Sequence, residues 1–115
     1  EEAWRFCEVS RGIAGDDDLS AQVIGRGTCA KILAGRGRGD EAEGLAREAV
    51  ALAASTDFLT HHGQALLDLA EVLQLNRRPE EAEAALRAGL ELYEQKGDLV
   101  STERARLRIE EVRSA

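Results

Sequence analysis

Two adjacent histidines, three consecutive aspartates, a glycine–arginine stretch and two cysteines are the side chains in this sequence that invite a chemical reading. His61 and His62 are the only histidines. Neighbouring helical residues point about 100° apart, so the pair cannot close on one ion as an i, i+4 pair does, and a structural role is expected. Asp16, Asp17 and Asp18 carry oxygen ligands, but a calcium loop spaces its ligands and adds a central Gly and a distal Glu. They read as a helix cap. Gly35 to Gly39 (GRGRG) suggests a phosphate loop, yet it lacks the GK[ST] ending and follows no apolar strand. A turn between helices is the expectation there. Cys7 and Cys29 form no CxxC pair and have no histidine at ligand spacing. They are expected as buried, reduced thiols in a cytoplasmic chain. No Ser lies in a GxSxG elbow. No catalytic residue, metal site or cofactor is expected, and the chain does not read as an enzyme.

Charge narrows the partners. Twenty-two acidic residues against fifteen Lys and Arg give a net charge of −7. No segment is net positive: residues 1–40 hold seven acids and six bases, 41–80 seven and three, and 81–115 eight and six. A phosphate-tracking surface is therefore not expected, and nucleic acid is not an expected partner. Arg104, Arg106 and Arg108 read as solvated charges toward a helix C-terminus, where cations are favoured. The longest wholly apolar run, Ala49 to Ala54, has six residues, against about 20 for a membrane span. A membrane is not an expected partner either.

The elements that must position these side chains are helical. One hundred and fifteen residues suit a single core. Aromatics are only 3%, with one Pro and no Met, so Ala, Leu, Val and Ile must build that core. Such an Ala/Leu/Glu/Arg-rich mixture favours packed helices over sandwiches or barrels. Turn signals at 12–18, 35–40, 55–57, 76–79 and 97–98 delimit six helical segments, roughly 1–13, 18–35, 39–54, 58–76, 79–96 and 98–113. Leu59, Leu66, Leu69, Ala70 and Leu73 fall on one helical stripe, as do Ala82, Leu86, Gly89, Leu90 and Tyr93. The chain has no initiator Met and is helical in pattern from its first residue, which suggests a fragment of a larger protein.

The segments repeat. Residues 39–53 (GDEAEGLAREAVALA) align with 79–93 (PEEAEAALRAGLELY) at an offset of 40, which places Ala42 on Ala82, Glu43 on Glu83, Arg47 on Arg87 and Ala49 on Gly89. The same offset sets Ala30 on Ala70, Leu33 on Leu73, Ala65 on Ala105 and Leu69 on Ile109. The unit is a helix–turn–helix of about 40 residues, with a flanking half-unit at 1–17, units at 18–57 and 58–97, and a terminal half-unit at 98–115.

The small residues Ala30, Ala42 and Ala49, then Ala70, Ala82 and Gly89, resemble the small positions of the tetratricopeptide (TPR) repeat, and Leu33 and Leu73 occupy its large apolar position. Two departures stand out. The offset of 40 exceeds the usual 34, and a position often held by Trp or Leu is Leu66 in one unit but Arg26 in the other. The resemblance implies an all-α, right-handed superhelix of antiparallel helix pairs. Over residues 17–22, 30–59, 65–73 and 78–106 the chain is similar to C-terminal TPR arrays of large bacterial ATPase, nucleotide-cyclase or transcriptional regulators. That implies a non-catalytic interaction module, a scaffold or sensor arm in signalling. Its partner would be a protein, a peptide or neighbouring domains of the parent chain. The other reading is an architectural segment, including a homodimer, with no separate ligand. Carried over by resemblance, the concave-groove contacts are Ile24, Gly27 and Lys31, then Gln64, Leu67 and Glu71, then Arg104 and Leu107. The peptide-carboxylate clamp of the family is matched only at Lys31.

Overall fold

The computed structural model describes residues 19–56 and 58–114. The expected helix over 1–13, the aspartates 16–18 and Cys7 lie outside the described residues. Among the described residues five helices follow one another: α1 (Leu19–Gly35), α2 (Gly39–Ala54), α3 (Leu59–Leu75), α4 (Pro79–Lys96) and α5 (Leu99–Ser114). No strand occurs among the described residues. The helix bounds differ from the sequence expectation by a residue at most, because capping chemistry marks them. Pro79 opens α4, where its missing N–H costs nothing. Asp98 caps α5, its Oδ1 accepting the Ser101 N–H at 3.0 Å.

Three helix ends share one device. After α1, Arg38 N–H donates to Leu33 O at 3.0 Å and Gly37 N–H to Ala34 O at 3.2 Å, with Gly37 at φ 81°. After α3, Arg78 N–H donates to Leu73 O at 2.9 Å and Arg77 N–H to Gln74 O at 3.0 Å, with Arg77 at φ 61°. After α4, Asp98 and Gly97 repeat the pattern on Tyr93 and Glu94. These are Schellman closures, whose left-handed residue is usually Gly. The first two stand 40 residues apart. The end of α2 differs: the hydroxyls of Ser55 and Thr56 donate back to the carbonyls of Leu52 and Ala53.

Each helix packs against its neighbours in sequence, and α1 also packs against α3. The result is an all-α array of helix pairs. Small residues sit where the pairs cross: Ala30, Ala42, Ala46, Ala49, Ala70 and Ala82 are fully buried. At Gly89 an added Cβ would lie 2.7 Å from Leu67 Cδ1 and 3.3 Å from Gly63 O, so a larger residue would force Leu67 and the α3 backbone to give way. Between Gly63 and Tyr93 the same logic holds, since a Cβ on Gly63 would meet the Tyr93 ring at 2.8 Å. Among the described residues Tyr93 is the largest fully buried side chain. Where Leu66 is buried on α3, the corresponding Arg26 on α1 turns its guanidinium to Gln22 Oε1 (3.2 Å) and Glu48 (3.5 Å).

Ties between hairpins reinforce the stack. Asn76 Nδ2 donates to Gly39 O at 3.0 Å, joining the α3–α4 turn to the start of α2. Glu43 receives Arg47 on its own helix at 2.9 Å and Arg78 from the next hairpin at 2.7 Å. Glu83, 40 residues on, likewise receives Arg87 at 2.8 Å and Arg113 at 3.4 Å. The Arg87 hydrogen bond, with the charge of Arg113, holds the Glu83 carboxyl below the usual range against the opposing effect of desolvation.

Cys29 is buried and disulfide-bonded. This corrects the reduced thiol expected from sequence, where two isolated cysteines gave no spacing cue. Disulfides persist in oxidising compartments, so the cytoplasmic location drawn from the cysteines no longer follows from them. No described helix is long and apolar enough to cross a membrane.

Candidate functional site

The face formed by the first helix of each pair is organised around a residue that sequence reasoning passed over. Asp68 lies in the apolar run ALLDLAEVL of α3 and is only 7% exposed. A buried carboxylate needs partners, and two reach it. Lys31 Nζ, from α1, lies 3.1 Å from Asp68 Oδ1. Gln64 Nε2, one turn earlier on α3, donates to the same oxygen at 3.0 Å. Gly27 makes room for the acid: a Cβ there would crowd the Asp68 carboxylate, standing 3.2 Å from its Cγ. Three of the expected groove residues, Gly27, Lys31 and Gln64, therefore converge on one carboxylate across the junction of α1 and α3.

A second polar group continues the seam. Burial pushes the Tyr93 hydroxyl above its ordinary value, and the charge of Arg104 on α5 pulls the other way, with a smaller upward contribution from Asp68. Arg108, one turn beyond Arg104, donates from Nη1 to Leu67 O at 3.4 Å and so spans α5 and α3.

The remaining expected contacts divide. Ile24 is 54% exposed and lies seven residues, two turns, before Lys31 on α1. Glu71 is partly exposed, one turn beyond Asp68. Arg104 is exposed. Leu67 corrects the expectation: it is 1% exposed and fills the space left by Gly89. Leu107, its counterpart 40 residues on, is 51% exposed, because no helix among the described residues covers α5 as α4 covers α3. Asp68 and Arg108, each one residue further along, occupy the seam that was assigned to these leucines. The available signal was an acid between leucines in an apolar run, which on a packed helix must find a cation or a donor.

No family model matches this chain, and no curated protein does. The seam must therefore be read from its own chemistry.

Among the described residues the other sequence candidates assemble no reactive site. His61 stacks edge-on with Phe58, ring centroids 5.6 Å apart, and burial lowers the His62 pKa below its ordinary value. No group of three His, Cys, Asp or Glu suited to a metal ion occurs among the described residues. Arg38 of the GRGRG turn pairs with Glu41 at 3.5 Å, and Arg78 of Asn76–Pro79 pairs with Glu43 and Glu81.

Proposed function

We propose that the chain is a non-catalytic interaction module of TPR type, a scaffold or sensor arm of a larger signalling or transcriptional regulator of bacterial kind, that binds a protein segment along the face of α1 and α3. The observation that carries this reading is the convergence of Lys31 and Gln64, from different hairpins, on Asp68, beside the exposed Ile24. Holding one buried acid between two hairpins fixes their relative placement. A surface fixed in this way presents its open groups together, as binding a peptide requires. Ile24 supplies an apolar contact, while Lys31 and Glu71 supply charges of both signs at the rim.

Selection from a displayed random-peptide library, followed by titration of a selected peptide, tests the proposal. Ile24→Ala and Glu71→Lys, both at solvent-accessible positions, should each weaken binding about tenfold, or roughly 1.4 kcal/mol. A selected peptide that ignores both changes would sink the assignment of this face.

A further inference from the structure

The side of α5 turned away from α4 is a separate surface. Ala105, Ile109 and Val112 point into the core, whereas Val100, Glu103, Arg104 and Leu107 are all exposed. Their spacing of three, four and seven residues puts them on one stripe, on the opposite side of the helix from the buried set. Leu99 and Val100 are 81% and 79% exposed. Together with Glu103, Arg104 and Leu107 they line one shallow depression. Two large aliphatic side chains this open, next to a half-exposed Leu107, form an unpartnered apolar patch with opposite charges at its centre.

The order of residues along the stripe selects the occupant. Val100 lies three residues before Glu103, and Leu107 lies three residues after Arg104. The stripe is therefore self-complementary about the midpoint between Glu103 and Arg104. Laid antiparallel on a second α5, Val100 meets Leu107 of the other copy, and Glu103 meets Arg104 of the other copy, each contact occurring twice. A parallel arrangement would instead bring Glu103 against Glu103. We infer that α5 is an isologous contact, in which this stripe packs antiparallel on the same stripe of a second copy of the chain. Each copy carries a net charge of −7, so the register is chosen by the charge pattern at the contact and not by overall attraction. This contact does not depend on the peptide-binding face of α1 and α3, and either can fail while the other stands.

Sedimentation equilibrium of the whole chain over a wide concentration range tests the inference, with circular dichroism as the check of folding. The wild-type chain should show a monomer–dimer equilibrium. Glu103→Arg and Arg104→Glu should each raise the dimer dissociation constant at least about tenfold, because like charges then face each other twice. Mixing the two variants should restore association as a heterodimer, since every contact is again between opposite charges. Leu107→Glu should abolish pairing; the three substituted residues are exposed, so helicity should not change, and Glu103→Arg keeps the test clear of the Arg104–Tyr93 contact. A wild-type chain that stays monomeric throughout overturns the inference, whatever else covers the stripe. So does a dimer indifferent to Leu107→Glu, or a mixture of the two charge variants that remains monomeric.

Discussion

Lys31 Nζ and Asp68 Oδ1 stand 3.1 Å apart across the junction of α1 and α3, the Lys side chain about a third exposed and the Asp side chain 10% exposed. The asymmetry matters. Removing the cation strands a buried carboxylate with one amide donor, Gln64. Lys31→Met should therefore cost about 1–3 kcal/mol, the usual penalty for a buried group losing its partner. Asp68→Asn in that background should recover part of the loss by removing the stranded charge. Urea denaturation of the two single variants and the double variant measures the coupling directly. Strictly additive effects would show that the two residues do not act as a pair.

Gly89 and Gly44 are both mid-helix glycines, but only one has neighbours. Around Gly44 nothing lies within 4 Å of an added Cβ, and the site is exposed. Gly44→Ala should stabilise the chain by about 0.5–1 kcal/mol through helix propensity. Gly89→Ala meets Leu67 and the Gly63 carbonyl, and it should destabilise by about 1–3 kcal/mol through overpacking. Opposite shifts in the thermal midpoint are the expected result.

Gly37 and Arg77 hold the same left-handed place in two turns. An L side chain is disfavoured there by about 1 kcal/mol. Gly37→Ala should lose roughly that amount, and Arg77→Gly, whose neighbour Arg78 makes the contacts to Glu43 and Glu81, should gain part of it. If Arg77→Gly instead proves as damaging as a core deletion, the two turns are not equivalent.

Asp98 contributes a pH dependence. The Ser101 backbone hydrogen bond, first among several causes, holds its carboxyl below the ordinary aspartate value of 3.8. A lowered folded pKa means that its stabilisation is present above 3.8 and is lost as pH falls through the lower folded value. The gap in thermal midpoint between the wild type and Asp98→Ala should be widest near neutral pH and should narrow below pH 3.8. A gap that stays constant on acidification would remove Asp98 from the set of pH-sensitive caps.

The helices were legible because their signals are local. A Pro at the first turn of α4, the Gly97–Asp98 stop and start, and apolar residues at three- and four-residue steps act through a few neighbouring peptide units, so a linear reading recovers them. The buried small residues at Ala42, Ala82 and Gly89 were legible for a related reason: the 40-residue offset repeats them, and repetition marks positions that make the same contact.

The seam was legible only in part. Lys31 and Gln64 could be assigned to one face, but the acid that draws them together could not. Whether Leu67 or Asp68 faces that surface turns on a single helical position, about 100° of rotation, and that rotation is set by how α4 presses Gly89 against α3. Leu67 and Leu107 are identical in type and correspond in the repeat, yet one is buried and the other open. Type and spacing, on their own, determined the helices, their ends and the small crossing residues. Tertiary structure alone decided which side chains share a surface, because burial depends on the helix that lies across a position, and no residue carries that information within its own turn.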